Sequence, residues 1–148
     1  MDIAAGLVES GIGDPNGGPS SKPLVGLEDA RLIGLQCTFD VTDDDKDHDT
    51  LVDVSIDNNA VVMGSARLGG GEHWADGSQH VRGIPIVNAV TWDEGQHGKM
   101  IITIHPNGDD EWHFNVTLLM TFERDGWMRR GWTGVNLAED RNSVTLNW

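Results

Sequence analysis

The sequence lacks several features on which common protein classes depend. It has one cysteine, Cys37, which excludes an intrachain disulfide and any zinc or iron–sulfur site built from several cysteines. It has only 10 lysine and arginine residues against 24 aspartate and glutamate residues, which gives a net charge of −14. Binding to nucleic-acid phosphates needs clustered basic side chains, so we expect no nucleic-acid partner.

Long apolar runs are also missing. No run approaches the roughly 18 apolar residues that a membrane-spanning helix needs, so we expect no transmembrane segment. The first five residues, Met1-Asp2-Ile3-Ala4-Ala5, carry an acidic residue where a secretory signal carries positive charge. We therefore expect no Sec signal peptide, and either a cytoplasmic location or export by a nonclassical route.

Glycine and proline divide the 148-residue chain into two parts. Residues 11–26 contain five glycines and three prolines, and such a segment has too little apolar surface to offset the entropy lost on ordering. We predict that residues 1–28 form a flexible arm. Residues 29–148 are long enough to bury a core without disulfides, and we predict that they form one domain.

From residue 31 onward, apolar residues recur with a period of two, which indicates strands with one buried face. No segment has the 3.6-residue period of a helix. Short strands separated by turn signals favour an all-β fold, and we predict an antiparallel β-sandwich of about eight strands. The predicted strands lie near residues 33–41, 52–56, 60–68, 79–87, 100–104, 112–122, 127–132 and 143–148.

Three finer features are also predicted. Ile33 alternates in phase with the core residues of the first strand, so we expect it to be buried. The turn at residues 123–126 contains an Asp-Gly pair, which is suited to positive φ. The fifth and sixth strands are expected to form a hairpin around residues 107–109, with His105 opposite Glu111.

Carboxylates concentrate between the first two strands. Residues 40–49 contain six aspartates and one lysine, Lys46, and carboxylates this close together repel each other strongly. Calcium would relieve that repulsion, because it takes six to eight oxygen ligands and tolerates irregular loops. The loop is not an EF-hand, because His48 and Val54 occupy its glycine and glutamate positions. We predict one or two Ca²⁺ ions, with a solvated turn as the alternative; the predicted ligands are Asp43, Asp44, Asp45, Asp47, Asp49, Asp109 and Asp110.

Strand direction predicts where the acidic loops meet. If successive strands run antiparallel, every connection from an odd-numbered to an even-numbered strand lies at one end of the sandwich. Loops that converge on one end of a rigid sandwich are a usual arrangement for binding. We predict partner contacts from Trp74, Asp76 and Trp132. The four connections are called the rim below, and they comprise residues 43–49, 69–78, 106–111 and 136–142.

Several short segments of the chain resemble a PLAT (lipoxygenase-homology) domain over about residues 31–148. Val41-Thr42 and Asp49 resemble the end of the family's first strand and the loop that follows. The segments Trp74-Ala75-Asp76-Gly77-Ser78 and Asp110-Glu111-Trp112-His113-Phe114 resemble its later turn and strand start. The resemblance implies an eight-stranded sandwich that binds calcium between its loops and docks to membranes or protein partners, usually as an accessory domain.

Three hypotheses about function follow. The first is a non-catalytic calcium-binding module whose rim binds a membrane surface, a glycan or a protein. The second is a carbohydrate-binding module or lectin, because the chain has six tryptophans and an exposed indole stacks on sugar rings. The third is a structural subunit of a secreted or toxin-type assembly. We do not expect an enzyme, since G-x-S-x-G and H-E-x-x-H motifs are missing and the clustered carboxylates are expected to be solvated.

Overall fold

A computed structural model describes residues 26–108 and 110–148 of the chain. The strands in these residues form two four-stranded antiparallel sheets that pack face to face, which confirms the predicted all-β sandwich. Within the described residues, no helix is long and apolar enough to cross a membrane. The strands are β1 (Leu32–Asp44), β2 (Leu51–Asp57), β3 (Val62–Leu68), β4 (Gln79–Gly83), β5 (Lys99–His105), β6 (Glu111–Phe122), β7 (Trp127–Ala138) and β8 (Ser143–Asn147).

The core lies between the two sheets. The strand order is β4-β1-β6-β7 in the first sheet and β3-β2-β5-β8 in the second. Alternate residues of each strand point inward, as in β2, where Val52, Val54 and Ile56 are buried and the residues between them are partly exposed. Cys37 is fully buried in this core, and burial raises the pKa of its thiol to about 12. A thiol in that environment is inert, so Cys37 has a packing role.

The start of β1 differs from the sequence prediction. Ile33, expected in the core, is 62% exposed, and Leu32 is buried in its place. The pairing of β1 with β6 shifts register between Leu32 and Gly34, and the extra residue of such a bulge changes which face each side chain occupies. Gly34 permits the bulge, because a Cβ atom there would collide with the side chain of Thr121.

The predicted hairpin of β5 and β6 is wrong. The two strands lie in different sheets, so the chain crosses from one sheet to the other at the rim. His105 pairs with Leu51 of β2 and does not face Glu111. Ile104 and Trp112 are both fully buried, as the period-two pattern predicts. The pattern does not require the two residues to lie in the same sheet. Two strands can bury side chains in the same core when they lie in opposite sheets as well as when they are neighbours in one sheet. The period-two pattern is the same for both arrangements.

The turn between β6 and β7 lies where the sequence predicts it, with a different backbone. Arg124 and Asp125 have positive φ of 61°, and Gly126 does not. Positive φ at both central residues is the arrangement of a type I′ turn, which suits the twist of paired strands. Gly126 instead allows close packing, because an added Cβ would lie 3.1 Å from the Leu27 side chain.

The predicted arm, residues 1–28, lies outside the described residues except for its last three. Among these, Leu27 is 2% exposed and packs into the core cluster. The guanidinium of Arg124 bonds the carbonyl oxygen of Gly26 and lies 2.8 Å from an Asp29 carboxylate oxygen. The packed domain therefore includes Leu27, two residues before the predicted boundary.

Candidate cation sites at the rim

The connections at the rim contact one another. The loops after β1 and β3 are joined by Lys46 and Trp74, whose backbones exchange two hydrogen bonds of 2.9 and 3.0 Å. The connection after β5 bonds to the loop after β1 through Asp110. The last connection approaches through Arg141, whose Nη2 lies 3.7 Å from Oε2 of Glu111. The four connections therefore converge at one end, as strand direction predicts.

The lysine of the acidic loop is buried at the centre of the rim. Lys46 is 0% exposed, and its Nζ atom lies 5.1 Å from the centre of the Trp74 ring. Burial lowers the pKa of Lys46, and carboxylates led by Glu72 and Asp110 oppose that change. Nζ donates hydrogen bonds of 2.6 to 3.1 Å to the backbone carbonyl oxygens of Asp47, Thr50, Gly69 and Glu72. These four oxygens are called the Lys46 cage below.

Gly69 makes room for the buried lysine. Its φ is +76°, and a Cβ atom there would lie 2.7 Å from Cε of Lys46 and 3.0 Å from Nζ. Glycine is therefore required both by the backbone conformation and by the close approach. The sequence does not predict this site, because a lysine between aspartates is normally solvated. The glycine run at residues 69–71 is the one sequence feature that could have indicated a close backbone approach.

Asp110 was predicted as a metal ligand, and the structure places it inside the fold. It is 6% exposed, and its Oδ2 accepts hydrogen bonds from the buried Thr50 hydroxyl and, at 3.1 Å, from the Asp47 backbone N–H. These bonds hold the loop after β1 against the connection after β5. Asp109, predicted beside it, lies outside the described residues.

Two other predicted ligands meet a histidine on the paired strands β1 and β6. Asp44 lies opposite His113, whose Nδ1 is 2.8 Å from Oδ1 of Asp43 and 3.3 Å from Oδ2 of Asp44. On the other side of the ring, Nε2 is 3.1 Å from Oε2 of Glu111. One ligand atom from each of Asp43, Asp44 and His113 lies within 4.8 Å of the others, and these three residues are called the Asp43–Asp44–His113 cluster below.

Within the cluster, the histidine and the aspartates shift each other's pKa. Burial lowers the pKa of His113, but the hydrogen bonds to Asp43 and Glu111 and the negative charges of Asp43 and Asp44 together outweigh it, so the net shift of the pKa is upward. The same hydrogen bond from His113 is the main cause that lowers the pKa of Asp43. A proton on the imidazole therefore occupies the position that a metal ion would take, and a metal would have to displace it.

The remaining predicted ligands do not join either group. Asp45 pairs with His73, with 2.5 Å between Oδ2 and Nε2. Asp47 and Asp49 are exposed. The pKa of Asp47 is raised, chiefly by the negative charge of Asp110. The predicted carboxylates that the structure describes therefore separate into a buried acceptor, a histidine-bound pair and individual surface side chains.

The aromatic part of the predicted partner site needs correction. The indole of Trp74 is 0% exposed, stacked on His80 with ring centres 4.5 Å apart and packed on Phe39 at 5.4 Å. A buried indole cannot stack on a partner. Trp132 is half-buried and packs against the core. Asp76 is exposed in the loop after β3.

A second charged cluster lies on the outer face of the β3-β2-β5-β8 sheet. Arg67 donates hydrogen bonds to both carboxylate oxygens of Asp53, from Nε at 2.7 Å and from Nη2 at 2.9 Å. His105 Nε2 lies 2.6 Å from the same carboxylate. The Arg67 hydrogen bond is the main cause that lowers the pKa of Asp53 to about 2. A shallow depression beside the cluster is lined by Ser55 and Ser65.

The lowered pKa of Asp53 predicts a loss of stability in acid. An Asp with a folded-state pKa below its ordinary value of 3.8 contributes stability that is complete above about pH 5 and is lost as the pH falls through 3.8 toward 2. The Asp53 side chain is 36% exposed, so solvent screening limits this contribution to about 1 kcal/mol. Urea unfolding from pH 7 to pH 2 should show Asp53→Asn less stable than wild type at neutral pH. The difference should vanish near pH 2; a pH-independent difference would contradict this assignment.

The fold and the rim define the class of protein as an antiparallel β-sandwich with carboxylates on the loops at one end. Comparisons with protein-family models, with curated proteins and with solved structures found no match. The resemblance to PLAT domains therefore stays a prediction that rests on the short segments quoted above.

Proposed function

We propose that the protein is a non-catalytic binding module that holds a divalent metal ion at the Asp43–Asp44–His113 cluster. The ion would present open coordination positions to an anionic oxygen of a partner. The observation that supports the proposal is the approach of the three ligand atoms to within 4.8 Å on two paired strands. Asp44 and His113 are direct partners in the pairing of β1 with β6, and Asp43 lies in the register shift just before Asp44, which lets two successive aspartates approach one imidazole.

The orientation of His113 supports the same proposal. Its Nε2 lies beside Glu111, which leaves Nδ1 directed at the two aspartates. Histidines that bind metals commonly donate their second ring N–H to a carboxylate, which fixes the ring and its tautomer. Asp43 is exposed, with 79% of its side chain accessible, so a partner could reach an ion bound there.

The donor set favours zinc over calcium. One imidazole nitrogen and two carboxylates, with the fourth position open, match the ligands that zinc takes in open sites. Calcium takes six to eight oxygens, and the cluster offers two carboxylates. The sequence-based calcium prediction also uses Asp45, Asp47, Asp49, Asp109 and Asp110, and it stays a prediction that the same titration can test.

Calorimetric titration of chelator-treated protein with zinc and, separately, with calcium tests the proposal. We expect one zinc ion per chain, and an increase of about 2.7 kcal/mol in the unfolding free energy at zinc concentrations 100 times the dissociation constant. Affinity should rise between about pH 6 and pH 8, because the metal displaces a proton from His113. His113→Ala and Asp43→Asn should each abolish the heat of zinc binding.

Two matched variants serve as controls. His105→Ala removes a histidine that pairs with an aspartate on the other sheet, and it should bind zinc like wild type. Asp49→Asn removes an exposed aspartate of the rim outside the cluster and should also bind normally. Absence of zinc binding by wild type would refute the proposal. Calcium binding that survives His113→Ala and is lost in Asp49→Asn would place the ion at the loop ligands predicted from sequence.

A further inference from the structure

The surroundings of the Lys46 ammonium are those of a coordinated cation. An ammonium group has three N–H donors, and four carbonyl oxygens lie 2.6 to 3.1 Å from Nζ. The oxygens therefore outnumber the protons, and at least one proton is shared. The face of Trp74, 5.1 Å away, adds a cation–π contact.

The cage is assembled from distant parts of the chain. The carbonyls of Asp47 and Thr50 come from the loop after β1, and those of Gly69 and Glu72 come from the loop after β3. In each loop one of the two carbonyls also closes a turn, since Asp47 O accepts the Thr50 N–H at 3.2 Å and Gly69 O accepts the Glu72 N–H at 3.1 Å, whereas no such turn bond is made by the carbonyls of Thr50 and Glu72. The cation therefore joins the two loops.

The size of the cage distinguishes between cations. Calcium binds oxygen at about 2.3–2.6 Å and is favoured by charged carboxylates. Here the oxygens are neutral carbonyls, and three of the four distances are 2.8 Å or longer. Carbonyl cages of this kind suit monovalent cations, as they do in potassium-selective filters.

We propose that the Lys46 cage is a binding site for an ammonium-type monovalent cation, which the protein fills with its own side chain. The tethered ammonium takes the place of a free ion and joins the loops after β1 and β3 without a metal. Removal of the side chain would leave a site for a protonated primary amine. The carboxylates of Glu72, Asp110, Asp47 and Asp49 add negative potential that favours any cation in the cage.

Chemical rescue of Lys46→Ala tests this site. The substitution removes three methylene carbons and the ammonium, and n-propylammonium replaces those atoms. We expect the thermal midpoint to fall by about 10 °C relative to wild type, because four carbonyls lose the ammonium and those of Asp47 and Gly69 keep only their turn hydrogen bonds. n-Propylammonium at ten times its dissociation constant should restore about 4–5 °C. Wild type should not respond.

The controls separate a specific site from general effects of salt and solvent. Tetramethylammonium has the same charge, but it is bulkier and has no N–H donors, and 1-propanol has nearly the same shape without the charge. Neither should rescue the variant at matched ionic strength. Lys99→Ala removes a half-exposed lysine and should gain nothing from n-propylammonium. Equal rescue by tetramethylammonium, or no rescue by any amine in a folded variant, would overturn the proposal.

A measurement on wild type covers the case in which Lys46→Ala does not fold. In native protein treated with an amine-acetylating reagent, Lys46 should react at least about 100-fold more slowly than Lys99, because reaction requires the rim to open. Reaction of Lys46 at the rate of Lys99 would refute a buried, caged ammonium. Lys46→Met, which fills the cavity without a charge, should be less stable than wild type and insensitive to n-propylammonium.

Discussion

Replacement of Trp74 with alanine is expected to lower the free energy of unfolding by about 3–5 kcal/mol. The indole is 0% exposed and contacts Phe39 and Trp112 with ring centres 5.4 and 5.5 Å apart. Its loss opens a large cavity beneath the rim. It also removes the Nε1 hydrogen bond of 3.0 Å to Glu72 and the aromatic face beside the Lys46 ammonium. Urea unfolding monitored by circular dichroism measures the change.

Two substitutions make the result for Trp74 specific. Trp132→Ala removes a half-buried indole and should cost about 1–2 kcal/mol, because less apolar surface returns to water. Trp74→Phe keeps an aromatic ring over the ammonium but removes the bond to Glu72, so its effect should lie between wild type and Trp74→Ala. If Trp74→Ala were as mild as Trp132→Ala, the indole would be exposed in solution and the glycan-stacking hypothesis for it would regain support.

The period-two pattern predicted most strands because burial on one face is a local property. The sixth segment, residues 112–122, is buried at every second position, as its apolar residues require. The pattern failed at Ile33, where a bulge changes the phase, and at the β5 and β6 connection, where sheet membership is decided by long-range pairing. At the bulge both Leu32 and Ile33 are apolar, so the sequence pattern does not show which of them is buried. The crossover leaves the spacing of apolar residues unchanged, so the pattern does not show it either.

The position of the acidic rim could be predicted, but the roles of its residues could not. Strand direction alone brings the four connections to one end. The role of Lys46 depends on carbonyl oxygens of Gly69 and Glu72, 23 and 26 residues away. Likewise, the approach of His113 to Asp43 depends on a separation of 70 residues in sequence. The composition shows that the loop is acidic. Which of its carboxylates are buried and which are exposed depends on these long-range contacts.

These contacts change the explanation for the many carboxylates in the acidic loop. Consecutive carboxylates suggested a missing cation, and the structure places the Lys46 ammonium in the middle of them. Part of the expected repulsion is therefore already balanced by a fixed internal charge. The Asp43–Asp44–His113 cluster at the ends of β1 and β6 is the place where we propose that an external ion binds. The two proposed cation sites use different residues, so their tests have independent outcomes.

Substitution of Asp110 by alanine is expected to lower the free energy of unfolding by about 3–4 kcal/mol. The buried Thr50 hydroxyl and the Asp47 backbone N–H both donate to Oδ2 of Asp110, and hydrogen bonds to a charged acceptor contribute about 1.5–3 kcal/mol each. The substitution also removes one of the carboxylates that offset the burial of the Lys46 ammonium. Asp110→Asn retains the volume and an acceptor oxygen, so its effect should be smaller.

Asp47→Ala is the matched control, because Asp47 is the exposed neighbour that was predicted as a ligand alongside Asp110. Its backbone carbonyl holds Lys46 and its backbone N–H bonds Asp110, and alanine retains both groups. The pKa of Asp47 is raised chiefly by Asp110, which means that the folded state disfavours its ionised form at neutral pH. Asp47→Ala should therefore leave stability unchanged or raise it by about 0.5 kcal/mol at pH 7, and the gain should vanish as the pH falls and Asp47 is protonated. Equal destabilisation by both substitutions in the presence of calcium, with no effect of either in EDTA, would instead mean that Asp47 and Asp110 bind a shared calcium ion.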